Sequence, residues 1–293
     1  MKRPSVPLFR IVRRTAWREF LVSAVFLLAL VACGCASGRH AASGSAIRVM
    51  TWNIHHAEGT DRTVDVDRIA RIILSEKPDI VALQEVDRGV ERSKKIDIIT
   101  ALADRTDMTY AFGKTIDYQG GDYGNAFLTR FPILEERNLH YKMIREGEQR
   151  GLLQLVLDVQ GEEIVVVNTH LDSREDDSAR VASLEELKVT LSGYSPRPVI
   201  VCGDMNDGPK SRVMTQLKKE YVDSWEQAGR GEGFTYPSDE PKKRIDYIFI
   251  LKNPNPERAS AAVQLRPVSA RVLPSSASDH LPLLVEFELS TER

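Results

Sequence analysis

Short apolar runs rich in β-branched residues recur along the chain, and turn residues bound them. The segment 79–83 leads into Gln84 and Glu85, and the segment 198–202 leads into Gly203 and Asp204. Runs of this length and composition are typical of buried β-strands. The pattern predicts strands near residues 47–53, 79–84, 109–115, 124–130, 151–159, 163–169, 198–203, 245–251 and 282–288.

Helical periodicity separates several of these strands. In the segment 65–76 the apolar residues fall on one face, and Asp65 and Asp67 lie at its start, where carboxylates favour the helix dipole. Further helices are predicted near 94–106, 176–191 and 211–219. Since strands and helices alternate without an internal repeat, the sequence predicts one domain over residues 46–293.

Polar side chains stand at the ends of the predicted strands, or within them. The positions concerned are Asn53, Glu85, His170, Asp204, Asp246 and the tripeptide Ser278-Asp279-His280. A rigid sheet can hold residues at its strand ends in one cleft, so we expect these acids and histidines to come together. Such a set supplies the parts of a metal-dependent phosphoester hydrolase.

These residues belong to motifs that follow one another in a specific order. The motifs are Trp-Asn at 52–53, Pro-Asp-Ile-Val-x-Leu-Gln-Glu at 78–85, Gly-Asn-Ala at 124–126, Asn-Thr-His-Leu at 168–171, Gly-Asp-x-Asn at 203–206, Arg-Ile-Asp-Tyr at 244–247 and Ser-Asp-His at 278–280. In this order the chain resembles the endonuclease/exonuclease/phosphatase superfamily, whose members are similar to deoxyribonuclease I. The resemblance implies an α/β fold, a four-layer α-β-β-α sandwich of two packed, mainly antiparallel sheets with helices outside.

The residue types suit metal-assisted hydrolysis. Charge builds up on the phosphoryl oxygens in the transition state, so a hard divalent cation and fixed hydrogen-bond donors would stabilise it. Glu85 is the main candidate ligand, with Asn53 and Asp279 beside it. Oxygen ligands without Cys or paired His favour Mg²⁺ or Mn²⁺ over Zn²⁺. His280 is the candidate base, because histidine ordinarily titrates near neutral pH.

The resemblance implies further roles. Asp246 would hydrogen-bond the second ring nitrogen of His280 and fix its tautomer. Asp204 and Asn206 would position the attacking water and a phosphate oxygen. His170 would stabilise the developing oxyanion or the leaving group.

Ordinary structural interpretations stand beside these roles. His170 could be a core histidine, although the joint occurrence of the motifs favours a site. Asn125 either approaches the phosphate or is a turn asparagine, and Arg150 is either a bidentate phosphate clamp or a solvated arginine. His55 and His56 either touch substrate or lie in an exposed loop.

The first 32 residues have the features of an export signal. Basic residues up to Arg18 precede the apolar run from Phe20 to Ala32, which is shorter than a membrane span requires. Leu30-Val31-Ala32-Cys33 resembles the lipobox of bacterial lipoproteins, in which the cysteine is lipid-modified and becomes the mature N-terminus. Residues 33–45, rich in Ala, Ser and Gly, would form a flexible tether. The alternatives are an uncleaved signal anchor and ordinary cleavage after Ala36.

Lipidation at Cys33 would anchor the protein in the cell envelope, because each buried CH₂ group contributes about 0.8 kcal/mol. Glycine at position 34 would by resemblance favour the outer membrane if the cell is Gram-negative. Three cysteines do not make a disulfide framework. Cys202 lies within a predicted strand and is expected to act as a small apolar residue.

Charge bears on the substrate. The chain has 40 Lys and Arg and 42 Asp and Glu, of which residues 1–32 hold six and one, so the exported chain carries a net charge of −7. Such a protein is a poor non-specific DNA binder, although Lys242-Lys243-Arg244 could rim the cleft. We therefore expect the substrate to be a small phosphodiester, a phosphomonoester or a lipid headgroup rather than long duplex DNA. The chain itself is expected to be a membrane-anchored monomer. The alternatives are an extracellular nuclease, which would bind nucleic acid, and a catalytically silent binding lipoprotein.

Overall fold

The computed structural model describes residues 46–194, 196–252 and 263–291. The predicted export signal, the tether and Cys33 lie outside these residues. Among the helices of the described ranges, none has both the length and the apolar content that a bilayer crossing needs.

Two six-stranded sheets form the centre of the described fold. Their strands are β1 (Ala46–Asn53), β2 (Ile80–Arg88), β3 (Thr109–Tyr118), β4 (Gly121–Thr129), β5 (Ile133–His140), β6 (Gly151–Val159), β7 (Glu162–His170), β8 (Val199–Asp204), β9 (Tyr221–Asp223), β10 (Asp246–Leu251), β11 (Val263–Val272) and β12 (Leu283–Thr291). The first sheet has the order β11-β12-β1-β2-β4-β3, and the second has the order β5-β6-β7-β8-β10-β9. Within the described strands, β1 with β2 and β7 with β8 are the parallel pairs, so the prediction of mainly antiparallel sheets is confirmed.

Helices cover the outer face of each sheet. They are α1 (Val66–Glu76), α2 (Ile98–Thr106), α3 (Ser178–Leu191) and α4 (Arg212–Glu220). The short helix α5 (Ser224–Ala228) instead packs against the core between the sheets through Trp225. Apolar residues of α1 and α2 pack on the first sheet, and those of α3 and α4 pack on the second. The predicted four-layer α-β-β-α sandwich is therefore confirmed.

Alternation along the strands explains the layers. In β1, Val49 joins the core between the sheets, whereas Met50 packs under the helices. In β8, Ile200 and Cys202 face the central core, and Val201 faces α3 and α4. Since successive side chains of a strand point to opposite faces, an almost wholly apolar strand indicates burial on both faces. Cys202 has the apolar core position predicted for it.

Several element boundaries differ from the predictions. The strands β5, β9 and β11 and the short helix α5 were not predicted. β5 is an edge strand with mostly exposed, polar residues, and β11 is an edge strand that contains Pro267, so neither shows the usual apolar pattern. The helix predicted from residue 94 begins at Ile98, because Lys94 and Lys95 have left-handed backbones and Asp97 caps the first turn through the Thr100 N–H.

Candidate active site

Strand register brings the predicted polar residues together at one end of the sandwich, where several strands begin or end. The parallel pairing of β7 with β8 sets His170 opposite Asp204, and the antiparallel pairing of β8 with β10 sets Asp246 opposite Asp204. Asn53 ends β1 in the other sheet, and its Nδ2 donates a hydrogen bond to Asp204 Oδ2 at 3.1 Å. The two sheets therefore contribute to a single site.

Glycine is required just before Asp204. Gly203 has a φ of 150°, and a Cβ atom there would lie 1.9 Å from the carbonyl oxygen of Thr169. This close approach lets β7 and β8 run side by side to their ends. It explains in physical terms why the Gly-Asp motif follows the apolar run.

A network of hydrogen bonds holds the loop that carries His280. Ser278 Oγ donates to the Asn53 carbonyl at 2.7 Å and accepts from the His280 backbone N–H at 3.1 Å. Trp52 Nε1 donates to the His280 carbonyl at 2.9 Å. The Ser-Asp-His and Trp-Asn motifs thus fix one another, although about 225 residues separate them in sequence.

His280 faces two carboxylates. Its Nδ1 lies 2.9 Å from Asp246 Oδ2, the partner that the family resemblance implies. Its Nε2 lies 3.7 Å from Asp204 Oδ2. Burial disfavours the imidazolium, but Asp246 and Asp204 outweigh this effect and raise the pKa of His280 to about 10. The two carboxylates therefore favour the protonated imidazole, which the sequence did not indicate.

Asp204 is the centre of the buried cluster. Burial and the neighbouring Asp246 raise its pKa to about 7. The backbone N–H of Asn206 donates to Asp204 Oδ1 at 2.9 Å. The Asn206 side chain donates to the Leu171 carbonyl at 3.0 Å. Asn206 also lines a cavity at this end of the sandwich.

His170 is buried beside Asp204, with its Nε2 3.6 Å from Asp204 Oδ2. Burial, Arg150 and His280 lower its pKa well below the usual value. Arg150 donates from its guanidinium to His170 Nδ1 at 2.9 Å and pairs with Glu148 at 2.8 Å. Arginine is always a donor, so the proton of His170 lies on Nε2. Arg150 thus contacts His170 as well as the cavity, a role that the sequence did not predict.

Glu85 is presented by a bulge in β2. The pairing with β4 shifts between Leu83 and Val86, and Glu85 has a φ of 58°. Bulges re-aim side chains, and a left-handed non-glycine residue is strained by roughly 1–3 kcal/mol. Asn53 Nδ2 donates to Glu85 Oε1 at 2.9 Å, and Glu85 lines the cavity.

Two histidines lie beside Glu85. One ring nitrogen each of His55 and His56 and one carboxylate oxygen of Glu85 lie within 4.8 Å of one another. His56 is only 5% exposed, so the exposed-loop interpretation is wrong for this residue. The predicted ligand set of oxygens did not include these imidazoles.

The other predicted ligands lie close to this group. Asp279 Oδ1 is 3.8 Å from His55 Nδ1. The Oδ1 atom of Asn53 accepts the His55 backbone N–H at 3.0 Å, so the Asn53 oxygen already has a partner. Carboxylates of Glu85 and Asp279 fit a hard divalent cation, and the adjacent imidazoles fit a transition metal. The residues present therefore fit a divalent metal ion.

A cavity of about 740 Å³ opens above these residues. Its lining includes Glu85, Arg150, His170, Asp204, Asn206, Asp279 and His280 among the predicted residues. Asn125 is not among the lining residues. Its side chain is buried and donates to the Gly151 carbonyl at 3.4 Å. Asn125 lies within β4, so the interpretation as a turn asparagine is wrong, and its approach to the phosphate stays a prediction.

The cavity also includes residues that sequence motifs did not select. They include Arg92, Tyr123, Glu148 and Tyr236. Tyr118 and Lys243, from segments whose role the sequence left open, line the cavity as well. Arg92 stacks on Tyr118 and Tyr123, and buried Asp87 holds its guanidinium. Lys243 lines the cavity, whereas Arg244 is buried and pairs with Asp223. These residues come from separate segments, so spacing gave no signal for them.

Comparison with known proteins agrees with the motif order. Residues 50–280 match the Endonuclease/Exonuclease/phosphatase family. The chain is 30% identical over 254 residues to the uncharacterized protein YbhP of Escherichia coli (strain K12), a match that covers 83% of this chain and 96% of YbhP. It is 28% identical over 195 residues to the 5'-tyrosyl-DNA phosphodiesterase of Caenorhabditis elegans, covering 64% of this chain and 49% of that protein.

The fold likewise matches solved structures. The Bacteroides thetaiotaomicron VPI-5482 mannosyl-6-phosphatase Bt3783 aligns with a TM-score of 0.64 at 20% identity, covering 83% of this chain and 99% of that one. At this identity the likeness concerns the fold. Because the family match spans most of the sandwich and includes the residues that line its cavity, the chain belongs to the endonuclease/exonuclease/phosphatase family.

Proposed function

We propose that this chain is a phosphoesterase that uses Mg²⁺ or Mn²⁺ to direct water at a phosphoryl group. One observation carries the proposal: buried Asp204, His170 and His280 converge on the cavity that Glu85 also lines, with Asp246 behind His280. Members of the family are phosphoesterases and nucleases that depend on divalent metals. The donor groups of this cavity suit the same chemistry.

Glu85 would hold the cation, with Asp279 and Asn53 as the further candidate ligands. When bound, a divalent cation neutralises charge on the phosphoryl oxygens and lowers the pKa of nearby groups. His280 needs such a change, because its pKa of about 10 keeps the metal-free imidazole protonated. With a cation bound at Glu85, a lower pKa would let His280 accept a proton, which its proposed role as the base requires.

In the proposed reaction, His280 Nε2 accepts a proton from the attacking water. The Nδ1–H group donates to Asp246, which stabilises the imidazolium that forms. Asp204 and Asn206 lie beside the ring and would orient the water and a phosphoryl oxygen. Each of these groups is already held by hydrogen bonds, so little reorganisation is needed.

His170 would donate from Nε2 to a phosphoryl oxygen or to the leaving group. Its lowered pKa keeps the ring neutral, and Arg150 at Nδ1 leaves the Nε2 proton available as a donor. We therefore propose that Arg150 positions His170. As a cavity-lining cation it would also attract the anionic substrate.

The cavity supports a small phosphoester as substrate. Its volume of about 740 Å³ falls within the range of small-molecule sites. Arg150 and Lys243 supply positive charge to the cavity of an otherwise acidic domain. A similar protein is described as a phosphodiesterase and a structural neighbour as a phosphatase, so we propose a phosphodiester or phosphomonoester, including a lipid headgroup. The alternative to a small-phosphoester hydrolase is a nuclease, and the same assay distinguishes the two.

The test is a substrate panel with Mg²⁺ or Mn²⁺. The panel contains p-nitrophenyl phosphate, bis-p-nitrophenyl phosphate, single-stranded and duplex DNA, RNA, sphingomyelin and phosphoinositides. We expect turnover of at least one small phosphoester, and a loss of about 10²–10⁴-fold in kcat for His280→Ala, the usual contribution of a positioned acid or base. EDTA should abolish turnover, and Glu85→Gln should stay impaired when Mg²⁺ is restored.

The matched control is His140→Ala, since His140 is an exposed histidine that does not line the cavity. This variant should keep wild-type kcat. Full activity in EDTA would refute the metal-dependent mechanism. Turnover of nucleic acids alone would select the nuclease alternative, and no turnover of any substrate would favour a silent binding protein.

We further propose export, lipidation at Cys33 and a monomeric state. The basic and apolar segments and the Leu30-Val31-Ala32-Cys33 motif support this location. In a bacterial host, mass spectrometry of the membrane fraction should find an acylated N-terminus at Cys33, and Cys33→Ser should block the modification. An unmodified chain that begins at Met1 and stays in the cytoplasm would contradict export.

A further inference from the structure

The turn that follows β1 holds two histidines in an unusual backbone conformation. His55, His56 and Ala57 have φ values of 42°, 43° and 62°, all left-handed. Such values are uncommon for residues with a Cβ atom and persist where the surrounding structure imposes them. Glu85, whose carboxylate lies next to the two imidazoles, is left-handed as well, with a φ of 58°. Strained backbones in the turn after β1 and in the bulge of β2 thus bring the three side chains together.

His56 has a buried ring nitrogen without a hydrogen-bond partner. The side chain is 7% exposed, and its Nε2 lies 3.6 Å from Glu58 Oε2. The Nδ1 atom is buried and makes no hydrogen bond. Buried polar atoms are nearly always paired, so an unpaired imidazole nitrogen beside a carboxylate points to a ligand.

Two further carboxylates lie near the histidine rings. Glu58 faces His56 Nε2, and Asp279 lies 3.8 Å from His55 Nδ1. A metal-binding histidine usually has a carboxylate or carbonyl near the ring nitrogen that is not bound, and Glu58 suits this role at His56. Arg92 also lies near His56, and buried Asp87 accepts two of the Arg92 N–H groups at 2.9 Å, which offsets part of its positive charge.

We propose that His55, His56 and Glu85 together hold a first-row transition-metal ion, and that the two imidazoles make the site prefer Mn²⁺, Fe²⁺, Co²⁺ or Zn²⁺ to Mg²⁺. The inference rests on the proposed function in that Glu85 is also the main ligand of the catalytic cation. Imidazole suits transition metals, whereas Mg²⁺ prefers oxygen ligands.

The geometry requires only small movements. The three ligand atoms lie within 4.8 Å of one another. Ligand bonds of about 2.1 Å place two ligand atoms of one ion up to roughly 4.2 Å apart. Small side-chain rotations would therefore bring the three atoms onto one ion.

Mn²⁺ is the probe that tests the proposal. The untagged full chain is stripped with EDTA, moved into chelator-free buffer and titrated with Mn²⁺, and the free ion is followed by electron paramagnetic resonance. Pulsed measurements on the bound ion should show coupling to imidazole ¹⁴N. The wild type should also retain Mn²⁺ in the presence of excess Mg²⁺. The variants His55→Gln and His56→Gln keep polar side chains of similar reach but remove the imidazoles.

We expect each variant to lose at least about tenfold in Mn²⁺ affinity, because the loss of even an outer partner of a metal ligand typically costs about 10–100-fold. Each should also lose part of the ¹⁴N coupling. The control His140→Gln changes an exposed histidine that hydrogen-bonds the Lys114 carbonyl, and it should bind Mn²⁺ as the wild type does. If buried His56→Gln fails to fold, half-buried His55→Gln still decides the outcome.

Bound Mn²⁺ without ¹⁴N coupling in the wild type would overturn the proposal, as would unchanged Mn²⁺ affinity in a folded His55→Gln variant. These readouts do not depend on turnover. A chain that hydrolyses phosphoesters with Mn²⁺ bound only through oxygen would support the proposed function and refute this inference. A chain with ¹⁴N coupling but no phosphoesterase activity would support this inference and refute the proposed function.

Discussion

At the scale of single residues, the pair Asp246 and His280 determines the charge of the site. The Asp246 carboxylate accepts from His280 Nδ1 at 2.9 Å, and Asp204 lies on the other side of the ring. Burial opposes the imidazolium, but these carboxylates raise the pKa of His280 to about 10, while burial and Asp246 raise that of Asp204 to about 7. Protons in such a cluster belong to the group rather than to one residue.

The stability of the metal-free chain should therefore depend on pH through His280. Its folded pKa of about 10 lies above the ordinary value of 6.5, so the folded state binds this proton more tightly than the unfolded state. The resulting stabilisation is complete below the ordinary pKa and is lost as pH rises through the folded pKa. We expect the difference in free energy of unfolding between wild type and His280→Gln to shrink from pH 6.5 to pH 10.

Urea unfolding in EDTA at several pH values measures this difference. In an Asp204→Asn background the same dependence on pH should become smaller, because Asp204 is one of the carboxylates that raise the pKa of His280. A difference that stays constant over this pH range would contradict the raised pKa of His280.

The residues of this pair could be assigned from the sequence, because each belongs to a motif. The sequence could not show that His55 and His56 lie beside Glu85. Their proximity depends on left-handed backbones and on a bulge, which leave no periodic pattern in the sequence. Arg150 was expected at the phosphate, and its contact with His170 Nδ1 depends on how β6 and β7 pair. Motif residues were predictable, whereas contacts created by backbone geometry were not.

At the scale of elements, buried strands were predictable and edge strands were not. β2, β7 and β8 are apolar on both faces, so their sequences alone indicate them. β5 has little apolar content because most of its residues face solvent. Its place in the sheet depends on pairing with β6, which no local pattern encodes.

Helix starts follow capping chemistry, and α1 offers a test. Asp65 Oδ1 accepts the backbone N–H groups of Asp67 and Arg68 at 2.9 and 3.2 Å. Asp65→Ala should lower the free energy of unfolding by about 0.5–2 kcal/mol, the usual cost of losing an N-cap. Chemical denaturation measures the loss. Asp104→Ala, an exposed position within α2, is the control, and an equal loss there would argue against capping as the cause.

At the scale of the whole molecule, buried polar bonds join the two sheets beneath the cavity. Asn168 of β7 donates to the carbonyls of Leu83 and Ala126 in the other sheet, each at 2.8 Å, and accepts from Gln84 Nε2 at 2.7 Å. The residue is fully buried. These bonds fix the sheets relative to each other where the site residues meet.

Asn168→Ala should destabilise the domain by at least about 2 kcal/mol, because each buried partner left unpaired costs roughly 1–3 kcal/mol. Asn138→Ala is the matched control, since Asn138 also donates across the sandwich, to the Lys114 carbonyl at 2.7 Å, but is exposed. Urea unfolding of both variants measures the effect. Similar small losses would show that burial of the Asn168 bonds is not what stabilises the sheet pairing.

The site residues lie at one end of the sandwich, which determines where the chain can be reopened by circular permutation. β1 runs over eight residues from Ala46 to Asn53, so its start lies roughly 23 Å from the site, and β12 pairs Glu288 with Ala46. The exposed turn at Gln160 and Gly161 also lies at the end of the sandwich opposite the site, because β7 runs from this turn towards His170. A circular permutant opened at this turn, with a linker joining the end of β12 to the start of β1, would keep every cavity-lining segment covalently intact.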